Sequence, residues 1–360
     1  MKNILYIGRY NGIIGGIERY MQKSAELLRR NGFAVHHLYT ENGGREQENF
    51  AESFDSIAEF SPENALLKNV DIVIIHNVIG AEYLQFMPEK RTFFFAHDHN
   101  IYCQRYHYYT PLGRINCHRK YNKFICKICS LGRNEAPPLA EYRKFPALVL
   151  SDYMAENLRK NGFEKVFKLP AFIKTFERES EFLPNGVLRI LFLGQLIRGK
   201  GADLMLKTLA GLDIPFSCTI AGDGKDRQML EKMVENFHLC DNVHFKGFVS
   251  DTEDLWENCD IFFFPVRWQE PFGLVGLEAM AHGVPVVAFD LGGVREWLID
   301  NKNGFAVPEG GDAGAVLKKM FAHPELFFNR MSHAGRELVK EKFSEEVFIK
   351  KFNELCEDLL

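Results

Sequence analysis

The sequence predicts an α/β protein made of two doubly wound, Rossmann-like domains. Three observations carry that expectation. Short apolar runs alternate with helical patterns along the whole chain, as in parallel sheets with crossover helices. The strand candidates fall six to each half, on either side of a polar stretch at 175–187. Gly-rich steps follow several of the strands, at the edge where open α/β sheets bind ligands.

In chain order, the first half offers strands at Asn3–Gly8, Phe33–Leu38, Asp71–His76, Thr92–His97, Ala147–Ser151 and Val166–Leu169. Helices are expected at Ile17–Arg30 and Tyr153–Lys160, each ended by an Asn-Gly-Phe step whose glycine can take the left-handed cap. The mixed-charge stretch Thr175–Val187, with Pro184-Asn185-Gly186, reads as the linker between domains 1–174 and 188–343. Strands then follow at Leu188–Leu193, Phe216–Ala221, Val243–Gly247, Ile261–Pro265, Pro285–Phe289 and Gly304–Val307. The tail, 344–360, patterns as an amphipathic helix with Val347, Phe348, Phe352, Leu355 and Leu359 on one side. There is no short-period repeat and no low-complexity tract.

Composition narrows the class. With 360 residues, 46% hydrophobic and 26% charged, the chain is long enough for two ordinary cores. A net charge of -4 argues against nucleic acid as a partner. No apolar run approaches the roughly 20 residues that span a bilayer. Lys2–Gly8 reads as a strand rather than a signal peptide, so the eight cysteines point to a reduced, cytoplasmic setting.

The most informative stretch runs from Glu270-Pro271-Phe272-Gly273-Leu274 through Glu278 to His282-Gly283-Val284-Pro285. Leu274, Leu277 and Met280 recur at helical spacing, so a helix is expected over about 273–282, stopped by Gly283. The N–H groups of Phe272, Gly273 and Leu274 then face outward at its start, where an anion or sugar oxygen accepts from them. Glu270 precedes them, and Glu278 lies about one and a half turns further in. Such a line of acceptor, donors and acceptor suits a polyhydroxylated, phosphorylated ligand.

A second loop, Gly194-Gln195-Leu196-Ile197-Arg198-Gly199-Lys200-Gly201, joins a strand to a helix at Ala202–Leu209. Its glycines allow close backbone approach to an anion, and Lys200 adds a full charge, with Arg198 a second cation. Alone, it reads equally well as a tight βα turn with solvated cations. The steps at Ala221–Gly224 and Asn11–Glu18 are weaker still, and the latter lacks the dinucleotide fingerprint spacing.

Taken together, the Glu270–Val287 segment, Gly292-Gly293 with Glu296, Asn303-Gly304 and the Lys200-Gly201 loop resemble glycosyltransferase family four (the glycosyl transferases of group 1). Those are retaining enzymes of the GT-B fold that use nucleotide-activated sugars. The resemblance covers most of 188–340 and, more loosely, Gly15-Gly16 and the strand ending at His97. It implies a donor in the cleft between two domains, with the C-terminal helix crossing back to the first. Glu278 would hold the ribose hydroxyls. Glu270 would contact donor-sugar hydroxyls, helped by the N–H groups of Phe272, Gly273 and Leu274. Lys200 would neutralise the departing diphosphate, assisted by the Gly15-Gly16 loop, and His97 would touch the donor sugar. No cofactor is required for transfer, and the resemblance implies no protein nucleophile. It is silent on the acceptor; the family's usual work points to a glycan or lipid-linked acceptor in cell-surface polysaccharide assembly.

Three positions depart from the family pattern: Gln195 stands where arginine is common, Val266 where serine is usual, and Pro170-Ala171 where Pro-Asn is common. Gln195 keeps two alternatives open. One is a non-catalytic protein that binds nucleotide sugar and supports another transferase; the other is a GT-B epimerase acting on the nucleotide sugar itself.

A further insertion, about 99–133, holds Cys103, Cys117, Cys126 and Cys129, the last two as C-x-x-C. Their number suits a structural zinc site or, less well, an iron–sulfur cluster, with His99, His107 and His118 as substitute ligands; the alternative is four buried or free thiols. Arg105, Arg114, Arg119, Lys120, Lys123, Lys127 and Arg133 lie among tyrosines there, with no Asp or Glu between Cys103 and Arg133. That surface is a candidate for a phosphate-bearing acceptor, or for peripheral contact with the inner face of a membrane, or it is a plain solvated lobe.

Overall fold

β1 (Asn3–Tyr10) buries Ile4, Leu5, Tyr6 and Ile7 and lies inside a parallel sheet of seven strands. The computed structural model describes residues 2–110, 115–131, 136–177 and 181–359. Arg114 and Arg133, singled out as basic residues of the insertion, lie outside the described residues, as does part of the expected linker. The sheet continues with β2 (Ala34–Glu41), β3 (Ser56–Glu59), β4 (Ile72–Ile75), β5 (Thr92–Phe95), β6 (Ala147–Val149) and β7 (Val166–Lys168). Its order is β3-β2-β1-β4-β5-β6-β7, every pair parallel.

Strands covered on both faces read as continuous apolar runs, which is why β4, with Ile72, Val73, Ile74 and Ile75 all buried, is plain in the sequence. β3 is the exception and raises the expected six strands to seven. Its Ser-Ile-Ala-Glu sequence sits at the sheet edge, largely exposed, and so carries no apolar run.

The second sheet contains β8 (Leu188–Leu193), β9 (Phe216–Ala221), β10 (Val243–Gly247), β11 (Ile261–Phe264), β12 (Val286–Phe289) and β13 (Gly304–Val307). Its order, β10-β9-β8-β11-β12-β13, is again parallel throughout. Leu188, Ile190, Phe192, Ile261 and Phe263 pack with Met205, Leu206 and Leu209 of the helix Ala202–Ala210. Each such side chain, fully buried, stabilises the fold by about 1.5–3 kcal/mol relative to exposure. In each sheet the strand order reverses once, between β1 and β4 and between β8 and β11. The carboxyl ends beside those two positions are where an open α/β sheet leaves a crevice.

The chain divides into one unit of Met1–Pro170 with Glu345–Leu360, and another of Ala171–Ser344. The crossing therefore falls at Pro170-Ala171 rather than at 175–187. The later residues of that stretch are anchored in the second unit: the Leu183 N–H donates to the buried Asp260 carboxylate at 3.1 Å, and Phe182 stacks on Phe328. Asp260 also takes the Arg189 guanidinium at 2.8 Å. The helix Glu345–Leu359 belongs to the first unit, where Phe352 meets Phe33 edge-on at 5.5 Å and Glu345 pairs with Arg30 at 3.0 Å. Cys356 is buried on that helix beside Phe348 and Phe352. No helix among the described residues is long and apolar enough to cross a membrane.

Candidate functional site

The reversal between β8 and β11 gathers most of the expected site. From β8 the chain passes Gly194 into a tight turn, Arg198–Lys200, and then the helix Ala202–Ala210. Two glycines set how close this turn lies to the segment after β11. Gly201 has φ +76, and a Cβ there would fall 1.7 Å from the Pro265 carbonyl oxygen; a Cβ on Gly199 would fall 1.9 Å from the Trp268 ring. The Arg267 N–H donates to the Gly199 carbonyl at 2.9 Å, and the Arg267 guanidinium pairs with Asp203.

That clamp brings Lys200 to Glu270. The ammonium lies 2.9 Å from one carboxylate oxygen and 3.2 Å from the other, and the Trp268 indole N–H donates to the same carboxylate at 3.3 Å. The side chains are 23% and 12% exposed, so the pair is sheltered beyond the surface class whose net worth is near zero. Lys200 also lies 5.9 and 5.7 Å from the ring centres of Phe264 and Trp268.

Glu270 is held from behind. The Gly293 N–H donates to its carbonyl at 2.6 Å, and Gly292, at φ +67, lies so close that a Cβ would meet that same oxygen at 2.3 Å. The helix that follows is Leu274–Ala281, one residue shorter at each end than the sequence indicates, because Gly273 takes a left-handed cap at φ +87. Trp297 fixes its start: the indole N–H donates to the Phe272 carbonyl at 2.7 Å, and a Cβ on Gly276 would strike the ring at 2.1 Å. The Phe272 side chain is buried against Phe343, so this residue offers only its backbone. The Phe272, Gly273 and Leu274 N–H groups lie ahead of the first bond of this helix, which Gly276 makes to the Gly273 carbonyl at 3.0 Å. Leu274 and Glu278 are both half-buried, Glu278 about one turn from the helix start.

Gln195 and Arg198 are exposed beyond β8. The Leu196 N–H donates to the Asp223 carbonyl at 2.9 Å, and Gly222 packs on Gly194, so the loops after β8 and β9 are stacked. Val266 is fully buried and offers no side-chain donor.

In the first unit, Gly15 caps the helix Gly16–Arg30, and its N–H donates to the buried Glu18 carboxylate at 2.9 Å. A Cβ on Gly15 or Gly16 meets no atom within 4 Å, so packing inside this unit does not require glycine at either position. His97 follows β5 and stacks on Phe95, ring centres 4.3 Å apart. Its Nε2 lies 3.0 Å from His76 Nδ1, and Tyr20 abuts it edge-on. Burial lowers the His97 pKa to about 3, and burial with the neighbouring His97 drives His76 well below its ordinary value. Both rings are therefore neutral near pH 7. The adjacent Asp98 carboxyl is raised to about 6 by burial, against the Asn100 N–H it accepts from at 2.9 Å.

The four cysteines of the insertion are half-buried and form no disulfide. Cys103 and Cys117 pack against the first core, while Cys126 and Cys129 sit on the helix Lys123–Cys129, whose first N–H groups donate to Asn122 at 3.1 and 3.0 Å. Burial raises the Cys103 thiol pKa, and Cys117 and Cys126 lie near enough to raise it further. Among the described residues no three His, Cys, Asp or Glu side chains form a set that holds a metal ion. His99, a candidate substitute ligand, is buried with its Nδ1 2.5 Å from the Tyr102 hydroxyl.

Sequence reasoning missed Trp268, Trp297, His76 and Glu18. Glu18 had a signal, since a glutamate three residues after a helix cap commonly reaches back to the cap N–H. The indoles had none, because their contacts span distant segments.

Two doubly wound parallel sheets with glycine-rich loops at their carboxyl edges define a protein of the GT-B fold. The family model for glycosyl transferases group 1 matches residues 173–324, so this segment is similar to that family. It is similar to mannosylfructose-phosphate synthase of Agrobacterium fabrum, 30% identical over 43% of this chain and 37% of that one. It is also similar to the lipopolysaccharide core biosynthesis glycosyltransferase LpsE of Rhizobium meliloti, 27% identical over 46% of this chain and 48% of that one. The chain thus spans about half, or less, of these curated relatives. In fold it is similar over 100% of both chains to Anabaena HepE in complex with UDP and glucose, at TM-score 0.76 and 15% identity.

Proposed function

We propose that this protein transfers a sugar, with retention, from a nucleotide diphosphate sugar to a glycan or lipid-linked acceptor. The single observation that carries the reading is the sheltered Lys200–Glu270 pair at the strand-order reversal, just before the start of the helix Leu274–Ala281 that carries Glu278. It is supported by the family similarity of residues 173–324, by relatives named as a sugar-phosphate synthase and a lipopolysaccharide core glycosyltransferase, and by a fold neighbour bound to UDP and glucose.

In this reading the bond between the anomeric carbon and the diphosphate oxygen breaks through an oxocarbenium-like state. Negative charge grows on the departing diphosphate, and Lys200, Arg198 and the helix-start N–H groups stabilise it. The acceptor oxygen bonds to the anomeric carbon on the face the diphosphate leaves, and its proton passes to the leaving phosphate. Glu270 hydrogen-bonds donor-sugar hydroxyls, Glu278 holds the ribose, and the Phe272, Gly273 and Leu274 backbone lines the pocket. In the first unit, the Gly15-Gly16 backbone approaches the diphosphate. His97, kept neutral by burial, donates or accepts one hydrogen bond to the sugar without adding charge. Retention, the identity of the donor and the lipid-linked acceptor are parts of the proposal.

The test is release of nucleoside diphosphate from a panel of nucleotide diphosphate sugars. Slow release with wild type and none with Glu270→Ala supports the transferase. Tight binding with no turnover supports instead the partner reading that the exposed Gln195 favours, and interconversion of donor isomers without acceptor supports an epimerase.

The four cysteines are proposed as structural zinc ligands on their number and C-x-x-C spacing alone, since among the described residues no three of them are set to hold the ion. Stoichiometric zinc in protein purified without chelator supports this, and metal-free protein of full stability refutes it.

A further inference from the structure

The helix Lys123–Cys129 contains no buried residue. Its apolar side chains point away from the core: Phe124 is 74% and Ile128 59% exposed, with Ile125 exposed beside them. Of the twelve large apolar side chains exposed among the described residues, six lie between Tyr106 and Leu131. Scattered apolar residues on a surface need no explanation, but half of them in one short lobe do. Residues four apart share a helix face, so Phe124 and Ile128 stand together, as do Lys123 and Lys127. The half-buried positions of this helix are Cys126 and Cys129.

Charge identifies the occupant. Arg119, Lys120, Lys123 and Lys127 are all exposed, and no Asp or Glu occurs between Asp98 and Glu135. Protein interfaces are depleted of lysine at their centres, whereas apolar tips ringed by lysine match the boundary between lipid headgroups and acyl chains. We propose that this lobe seats the protein on an anionic phospholipid bilayer. Phe124 and Ile128 enter the headgroup region, and Lys120, Lys123 and Lys127 meet lipid phosphates. A chain of net charge -4 is repelled by such a surface as a whole, so attraction is confined to this lobe and is weakened by salt. The inference stands apart from sugar transfer, which it neither needs nor tests.

Vesicle sedimentation decides it, using the full chain. Wild type is expected to sediment with an equal mixture of phosphatidylcholine and phosphatidylglycerol, to stay in solution with phosphatidylcholine alone, and to be released by high salt. The double variant Phe124→Ser/Ile128→Ser should lose at least about tenfold of its binding with unchanged thermal melting, since both side chains are exposed. Lys123→Glu/Lys127→Glu should lose it as well. A Phe124→Trp variant should shift its added fluorescence to shorter wavelength on the mixed vesicles. Equal sedimentation with both vesicle types, full binding by both double variants, unshifted emission, or self-association through this lobe in place of vesicle binding would each overturn the proposal.

Discussion

Lys200 and Glu270, 70 residues apart in the chain, stand 2.9 Å apart at the point where the second sheet reverses its strand order. The contact is built by backbone: Gly199 lies under Trp268, Gly201 lies against Pro265, and Gly292 with Gly293 backs Glu270. A cation and a carboxylate are thereby set in place before any ligand arrives, which lowers the reorganisation that a charge-separating reaction would otherwise require.

Removing either partner should slow turnover sharply in the proposed reaction. Lys200→Ala is expected to lower kcat for nucleoside diphosphate release by about 100- to 1,000-fold, the usual cost of one preorganised charge-stabilising group. Glu270→Ala should be at least as severe. Lys200→Ala retaining wild-type kcat would remove the leaving-group role.

Glu278→Ala should act on binding. Losing a hydrogen bond to a charged group costs about 1.5–3 kcal/mol, or roughly 10- to 100-fold in donor affinity. Calorimetric titration with the nucleoside diphosphate of the preferred donor measures it. A changed kcat with unchanged affinity would contradict the ribose assignment.

Gly276→Ala should destabilise the second unit. Its added methyl would meet the Trp297 ring at 2.1 Å, and overpacking of this kind costs about 1–3 kcal/mol. The melting temperature should fall by several degrees, roughly 2–4 °C for each kcal/mol in a domain of this size. The companion variant Trp297→Phe removes the ring atoms in that clash but loses the hydrogen bond to Phe272.

Asp260→Ala should be the most destabilising single change named here. It leaves the Arg189 guanidinium, 18% exposed, without its buried partner, a loss of about 3–5 kcal/mol. Denaturant unfolding reads this directly, and a change below about 1 kcal/mol would show that water replaces the carboxylate.

Acid should weaken the first unit. His37 and His97 have pKa values lowered by burial to about 4 and about 3, and His76 is lowered as well. All three take up protons more readily when unfolded, so their contribution is full above pH 6.5, the ordinary histidine value, and is lost as pH falls. Asp98, raised to about 6, acts in the opposite direction. Three sites against one leave roughly two net protons taken up on unfolding near pH 5, at most about 3 kcal/mol per pH unit. Melting temperature followed from pH 7 down to about 4.5 should fall; a flat or rising curve would contradict it.

What the sequence reveals and what it hides follow from burial. β8, β9, β10 and β13 have the expected limits because apolar runs or alternations bounded by turn residues mark them. β3 at the exposed edge leaves no such mark, and neither does the helix Lys123–Cys129, which has no face against the core to impose a period. In the site, Glu270, Gly273 and Glu278 are legible because one helix start organises them. The roles of Trp268 and Trp297 depend on contacts with Glu270, Gly199, Phe272 and Gly276, brought together only by the fold. The polar stretch 175–187 reads as a linker by composition but is pinned through Leu183 to Asp260, and the crossing lies just before it, at the Pro170-Ala171 step where the family has its linker motif.

The return of residues 345–360 to the unit that contains the start of the chain sets an order of events during synthesis. Residues 171–344 are contiguous and have all their partners once they leave the ribosome. The earlier-made segment must wait for Phe348, Phe352 and Cys356 before its own core closes. Of these two units, the one begun earlier is thus the one finished later.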